Sequence, residues 1–348
     1  MTGVHAKPAE IKVTTVTASD DKSLADISEF ASRHSCPSPF QSGELFRVYS
    51  KTNGCKPAAM IARNTEGEML ASLVATTFMD AGVLAGTFLS HVSVRGGPLF
   101  VPRKEGVAGG AILLKELLMK SRAESLYTRM YPLFDQPDQL SLLKESGFSR
   151  QDWLNYLIDL TAGEKVLREK LTKHRRKGIN RAENLGLEVV DASSVGDIDT
   201  LYSLLLESHA QAKIPLQDKS LFEAIHGLLI PKGMAKMIIA YSGEKPVAAR
   251  VALTFSGIIY DWYAGSAPEA EETNANEFLA WRLMTWGCAS GYRLFDFGGA
   301  GLPEEEYGPR EFKRRFGGQL VNLGRYTLVH KPKMLKMIQN LYKVRRRI

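Results

Sequence analysis

The sequence has little cysteine and no long apolar run. Its three cysteines, Cys36, Cys55 and Cys288, lie far apart, and none belongs to a C-x-x-C pair or to a Cys/His cluster with metal-ligand spacing. The sequence therefore indicates neither a zinc site nor a disulfide framework, and a reduced cytoplasmic setting is expected. No uncharged apolar segment approaches membrane-spanning length, and the opening MTGVHAKPAEIKV has no apolar core of signal-peptide type.

The length and the charge indicate a soluble protein of two domains with acidic partners. A chain of 348 residues is long for one domain, and 44% hydrophobic with 24% charged residues is ordinary for a globular protein. The formal net charge is +7 and the pI is about 9.1. This positive balance favours RNA, nucleotide-linked precursors or an anionic membrane surface as partners.

The order of the predicted elements is similar in the two halves of the chain. Residues 1–150 are predicted to form a mixed α/β domain, residues 151–332 a second one, and residues 333–348 a basic C-terminal helix or tail. In the second half, three predicted strands are followed by a helix and a fourth strand. Their predicted limits are 237–241, 247–255, 258–264, 276–290 and 294–297.

The stretch from Gly291 to Gly318 combines a buried strand, a glycine turn and an aromatic-basic block. The strand ends with Asp296, and Gly298 and Gly299 then allow a sharp turn and a close approach of the backbone to a ligand. After a polar loop, Lys313 follows in the segment FKRRFGG. The alternative is that this sequence forms only a strand, a loop and the solvated basic start of a helix.

This stretch resembles the C-terminal signature of the FemAB-type transferases, in which F-D-F-G-G precedes F-K-x-x-F-G. The resemblance extends to an R-x-x-I-x-x-A-x-x-x-G helix, matched here by Arg176, Ile179, Ala182 and Gly186. It implies two tandem Gcn5-related acyltransferase folds (GNAT-like), with mixed and mostly antiparallel sheets. It also implies transfer of an amino acid from aminoacyl-tRNA to an amine of a peptidoglycan precursor. The long helical arm of the larger members has no counterpart here.

The catalytic candidates are Lys313, which the resemblance indicates, and Asp296, which ends its strand beside the glycine turn. Aminoacyl transfer needs a positioned amine and a positive partner for the developing oxyanion, and Lys313 matches the lysine of the family motif. Asp296 is expected to orient an amine or a ribose hydroxyl, although a strand-end aspartate also caps turns. The expected substrate-binding residues of the same stretch are Gly298, Gly299, Tyr307 and Phe316. A surface lysine among arginines is the alternative for Lys313.

Two further segments are basic. Lys173 to Arg181 reads as a helix on which Arg176 and Arg181 are candidates for contacting a diphosphate or RNA, with a solvated basic face as the alternative. The tail is expected to contact an anionic membrane or tRNA, or to be an ordinary terminal helix.

No cofactor and no metal are expected, and aminoacyl-tRNA or acyl-CoA would act as co-substrate. Acyl-CoA-using relatives carry an R/Q-x-x-G-x-G/A turn whose backbone N–H groups hold the pyrophosphate. The corresponding segment 264–276 is acidic, while 103–110 retains three glycines. An acyl-CoA-dependent N-acyltransferase therefore stays an alternative, as does a catalytically silent protein that binds RNA or the cell envelope.

Overall fold

The structure is a computed structural model and describes residues 10–79 and 90–345. The chain forms two compact units. Unit 1 contains residues 10–50, 54–79, 90–151 and 324–345, and unit 2 contains residues 51–53 and 152–323.

Unit 1 is an α/β unit with one mixed sheet. Its strands are β1 (Lys12–Val16), β2 (Cys55–Arg63), β3 (Met69–Met79), β4 (Ser90–Arg95), β5 (Leu99–Phe100), β6 (Tyr127–Tyr131), β7 (Ser149–Gln151) and β15 (Arg325–Val329). Its helices are α1 (Asp21–Arg33), α2 (Gly43–Ser50), α3 (Lys104–Glu124), α4 (Pro137–Glu145) and α12 (Pro332–Arg345). The strand order is β1-β2-β3-β4-β6-β15-β7, and β5 pairs with β3. The β4–β6 pair is parallel.

Unit 2 has the same kind of sheet. Its strands are β8 (Leu154–Asp159), β9 (Glu188–Asp191), β10 (Ala235–Ser242), β11 (Lys245–Phe255), β12 (Ile258–Ser266), β13 (Leu294–Gly299) and β14 (Gln319–Asn322). Its helices are α5 (Gly163–Lys170), α6 (Lys173–Asn184), α7 (Val195–Ala212), α8 (Lys219–Leu228), α9 (Ala270–Thr273), α10 (Ala275–Ala289) and α11 (Gly308–Arg314). The strand order is β14-β8-β13-β12-β11-β10-β9, and the β12–β13 pair is parallel.

The two units share one order of elements, as the sequence predicted. In each, three antiparallel strands lead into a long helix, which returns the chain to a strand parallel to the third. In unit 2 the helix is α10, whose Trp281 and Leu279 are buried in a core that also contains Phe295, Phe297 and Phe316. The predicted α/β class with mixed, mostly antiparallel sheets is confirmed.

The predicted domain limits require a correction at the C-terminal end. The second domain was predicted to reach residue 332, but unit 2 ends at Leu323. Gly324, with a φ of 71°, turns the chain, and β15 then pairs with β6 and β7 in the sheet of unit 1. Helix α12, predicted as a separate tail from residue 333, also belongs to unit 1. Residues 346–348 of the predicted tail lie outside the described residues.

Candidate active site in unit 2

A cavity of about 490 Å³ in unit 2 lies where strands β12 and β13 part. The two strands pair only from Ile258–Leu294 to Tyr260–Asp296. Beyond that point Trp262 is an extra residue in β12, because Val251 pairs with Tyr263 while the adjacent Ala252 pairs with Asp261. A bulge next to a strand opening re-aims side chains and is typical of functional sites. The cavity is lined by His209, Arg250, Asp261, Trp262, Tyr263, Ala264, Asn276, Phe297, Gly308, Pro309, Phe312 and Lys313.

Lys313 reaches this cavity from the short helix α11. The helix begins after Tyr307, and Pro309 stands in its first turn, where a missing N–H costs nothing. The Lys313 Nζ donates a hydrogen bond of 2.7 Å to the carbonyl oxygen of Gly299, at the end of β13. An ammonium has three donors, so this bond leaves two for a ligand.

Burial lowers the pKa of Lys313 from 10.5 to about 8, because the cavity wall removes water from the ammonium. The carboxylates of Asp261 and Asp296 act in the opposite direction, and Arg250 adds to the lowering. At neutral pH the side chain is still mainly protonated. Lys313 therefore presents a poorly hydrated positive charge to the cavity.

Asp296 is buried directly behind the glycine turn, with 4% of its surface exposed. Its Oδ1 accepts hydrogen bonds from Asn155 Nδ2 at 2.9 Å and from the Gly298 N–H at 2.8 Å. Burial raises the pKa of Asp296, and these two hydrogen bonds oppose the rise. Asp296 therefore stabilises the glycine turn. It lies next to Lys313 but does not line the cavity.

The two positions of the turn require glycine for different reasons. Gly298 has a φ of 72°, which is strained for any residue with a Cβ. A Cβ on Gly299 would lie 2.5 Å from the indole nitrogen of Trp153. The turn therefore needs both glycines to bring the Gly299 carbonyl to Lys313.

The two aromatic candidates lie beside the cavity. Phe316 is fully buried and packs edge-to-face on Phe297 with ring centroids 5.2 Å apart. Tyr307 is half-buried against Gly301, where a Cβ would meet its ring at 2.9 Å. Neither lines the cavity.

The basic helix α6 contributes a different arginine from the two that the sequence suggested. Arg176 is exposed and donates to the carbonyl oxygens of Glu169 and Leu171, at the end of α5. Arg181 is exposed as well. The structure does not bring either one to the cavity lining.

Arg175 is instead the buried arginine of α6, with 1% of its side chain exposed. It forms an ion pair with Glu277 of α10 and donates to the Phe312 carbonyl oxygen at 3.0 Å. Its guanidinium lies 4.4 Å from the ring centroid of Phe312 and 4.6 Å from that of Phe316. Arg175 therefore fixes the helix that carries Lys313.

A second buried arginine, Arg250 of β11, forms part of the cavity wall. Its Nη1 is 2.5 Å from Asp261 Oδ2, and both side chains are at most 7% exposed. Its Nη2 donates to the side-chain oxygen of Asn276 at 2.5 Å and to the main-chain oxygen at 3.3 Å. Arg250 was not predicted from the sequence, although a lone arginine within the apolar run VAARVAL was a signal.

Acidic side chains surround the turn that leads into α10. Glu269 pairs with Lys245, and Glu271 and Glu272 occupy the first turn of α9. Glu277 lies in the first turn of α10, where its negative charge already interacts with the positive end of the helix dipole. This helix start is poorly suited to a diphosphate.

The glycines in the first two turns of α3 in unit 1 have a packing explanation. A Cβ on Gly106 would lie 2.1 Å from the Val101 carbonyl oxygen, and one on Gly110 would lie 2.8 Å from the Phe100 ring. Arg103, which precedes the helix, forms an ion pair with Glu68 at 2.5 Å. These residues therefore serve the contact of α3 with its own sheet.

Comparisons with known proteins agree with this architecture. Residues 168–314 match the family model of the acetyltransferase (GNAT) domain. No curated protein matches the sequence. The structure of FemX is similar, with 14% identity, 94% of this chain and 99% of FemX covered, and a TM-score of 0.68.

Two other solved structures are also similar. A tandem GNAT protein from the clavulanic acid biosynthesis pathway has 12% identity, with 92% of this chain and 99% of that chain covered, and a TM-score of 0.60. The C-terminal domain of a protein assigned as a lysylphosphatidylglycerol synthetase from Agrobacterium fabrum has 18% identity, with 92% and 95% covered, and a TM-score of 0.56.

Unit 2 therefore contains a GNAT domain, and the whole chain has a tandem GNAT fold similar to that of FemX. The predicted fold is confirmed, and so is the expectation of an acyltransferase. Among the described helices, none is both long and apolar enough to cross a bilayer. Within residues 10–79 and 90–345, no three His, Cys, Asp or Glu side chains are grouped to hold a metal ion.

Proposed function

We propose that this protein transfers an amino acid from aminoacyl-tRNA to an amine of a peptidoglycan-precursor-like acceptor. The observation that carries the proposal is the Lys313 ammonium in the unit 2 cavity, held by Gly299 and flanked by Asp261 and Asp296. A fixed, poorly hydrated cation is what the oxyanion of an acyl-transfer intermediate requires.

The chemistry is a direct aminolysis of an ester. The acceptor nitrogen attacks the ester carbonyl, and the resulting oxyanion is stabilised by Lys313. The C–N bond forms in this attack; the tetrahedral intermediate then collapses, the C–O bond to the ribose breaks, and the amine proton ends on the ribose oxygen.

The surroundings of the cavity favour tRNA over coenzyme A as donor. Acidic side chains surround the start of α10, where an acyl-CoA would place its diphosphate. Helix α6 exposes Lys173, Arg176, Lys177 and Arg181, and exposed cations of this kind suit an RNA backbone. A donor anchored by RNA does not depend on a phosphate cradle at α10.

The acceptor assignment rests on resemblance. The family motifs in this sequence and the FemX fold both support a nucleotide- or lipid-linked cell-wall precursor with a free amine. A lipid-linked acceptor would bring the protein to a membrane surface, and the basic tail is our candidate for that contact.

The test is transfer of radiolabelled amino acids to amine acceptors by the full-length protein. The donors are a mixed pool of charged tRNA and, separately, labelled acetyl-CoA, each with and without ribonuclease. We expect transfer from charged tRNA that ribonuclease abolishes. Transfer from acetyl-CoA that ribonuclease does not affect would replace this donor with acyl-CoA, and no transfer from either would contradict the proposal.

A further inference from the structure

One oxygen of the Asp261 carboxylate forms an ion pair, and the other has no hydrogen-bond partner among the described residues. Its Oδ2 takes the Arg250 guanidinium at 2.5 Å. Its Oδ1 is buried and has no hydrogen-bond partner among the described residues. Buried polar atoms are almost always hydrogen-bonded, so this carboxylate oxygen in the cavity wall is an acceptor for a water or for a ligand donor.

Aromatic rings make up much of the same cavity wall. Trp262 and Tyr263 line the cavity with ring centroids 5.1 Å apart; Phe297 and Phe312 line it too, but already have Lys313 and Arg175 over their rings. The faces of aromatic rings attract ammonium groups. A carboxylate oxygen and several aromatic rings in one cavity are a typical combination for binding an organic cation.

An α-aminoacyl group fits this arrangement of charges. Its ammonium and its carbonyl oxygen are attached to neighbouring carbons, so a cavity that binds both must offer an anion and a cation close together. Asp261 and Lys313 line the same cavity, and Asp261 lies near enough to raise the pKa of Lys313. Asp296 is no substitute, because it does not line the cavity.

We propose that Asp261 Oδ1 and the surrounding aromatic rings bind the free α-ammonium group of the transferred amino acid. The inference rests on the proposed function and adds a selection rule to it. The cavity accepts acyl groups with a free α-amine and discriminates against N-blocked and simple acyl groups, which would leave Asp261 Oδ1 unpaired.

The experiment compares two stable donor analogues by titration calorimetry. One is an adenosine with an amino acid joined to its 3′ position by an amide, which cannot be transferred, and the other is the same compound with its α-amine acetylated. We expect the free-amine compound to bind the wild-type protein about tenfold more tightly or better, since hydrogen bonds to charged groups are strong.

The variant Asp261→Asn should reduce this preference to about threefold or less, because a neutral amide attracts an ammonium weakly. The matched control is Asp191→Asn, which removes an exposed carboxylate that pairs with Lys236 at 2.7 Å in the same sheet, outside the cavity lining. The control should keep the full preference.

Equal binding of the two analogues to the wild-type protein would overturn the inference, and this comparison holds even if Asp261→Asn fails to fold. An undiminished preference in folded Asp261→Asn would overturn it too, and so would a failure of both analogues to bind. The ribonuclease-sensitive transfer assay tests the proposed function separately. Transfer together with equal binding of both analogues would leave that function standing without this selection rule.

Discussion

Replacing Lys313 by methionine is expected to lower kcat/KM for aminoacyl transfer by about 10²–10³-fold, the usual cost of removing one oxyanion donor. Methionine keeps most of the stem beside Phe297 and Phe312 but has no N–H to offer. The ammonium contributes most when the intermediate is charged, so the chemical step should slow more than donor binding weakens. Single-turnover transfer from charged tRNA measures that step.

The matched control for this experiment is Lys120→Met, which removes an exposed lysine of α3 in unit 1. It should transfer at the wild-type rate. A Lys313→Met protein that is folded and loses less than about threefold in rate would show that Lys313 is not the group that stabilises the oxyanion.

Arg175→Ala is expected to lower the free energy of unfolding of unit 2 by about 3 kcal/mol. Removing one member of a buried ion pair leaves the other without its partner and costs about 3–5 kcal/mol. The lower end applies here because the Glu277 side chain is 21% exposed. The variant also removes the guanidinium between the Phe312 and Phe316 rings, so α11 loses its anchor on α6.

Urea unfolding followed by tryptophan fluorescence suits this measurement, because all four tryptophans lie in unit 2: Trp153, Trp262, Trp281 and Trp286. The neighbouring Arg176→Ala is the control, and it should cost less than about 1 kcal/mol since Arg176 is exposed. Equal effects of the two substitutions would contradict the role given to Arg175.

Much of the fold was predictable from the sequence, because local patterns carry it. The strand, helix and strand around residues 258–297 alternate or repeat at the expected periods, and both units keep that order. Lys313 was predicted because it matches the lysine of the family motif F-K-x-x-F-G. Gly298 and Gly299 allow the turn that brings the Gly299 carbonyl oxygen within hydrogen-bond distance of the Lys313 ammonium.

The rest depends on contacts between distant parts of the chain. Helix α5 ends at Lys170, Leu171 separates it from α6, and Thr172 caps α6 by accepting from the Arg175 N–H. That break decides which side of α6 is buried. Arg175 therefore turns inward while Arg176 and Arg181 face solvent, and no local pattern distinguishes the three arginines.

The end of unit 2 and the Arg250–Asp261 pair also depend on contacts that local sequence patterns do not show. Strand β15 returns to unit 1 because its partners are β6 and β7, which lie about two hundred residues earlier in the chain. Asp261 and Arg250 become a pair only through the antiparallel register of β11 and β12, in which the bulge at Trp262 shifts the alignment.

The pH dependence of kcat/KM tests the central claim that a protonated Lys313 in the unit 2 cavity stabilises the transition state. The acceptor amine must be neutral, so the rate should rise with pH at first. The rise should level off as Lys313 loses its proton at a pKa of about 8, and this levelling should be absent from the residual activity of Lys313→Met. A wild-type rate that keeps rising through pH 8 to the ordinary lysine pKa of 10.5, or a levelling near pH 8 that persists in Lys313→Met, would contradict the account.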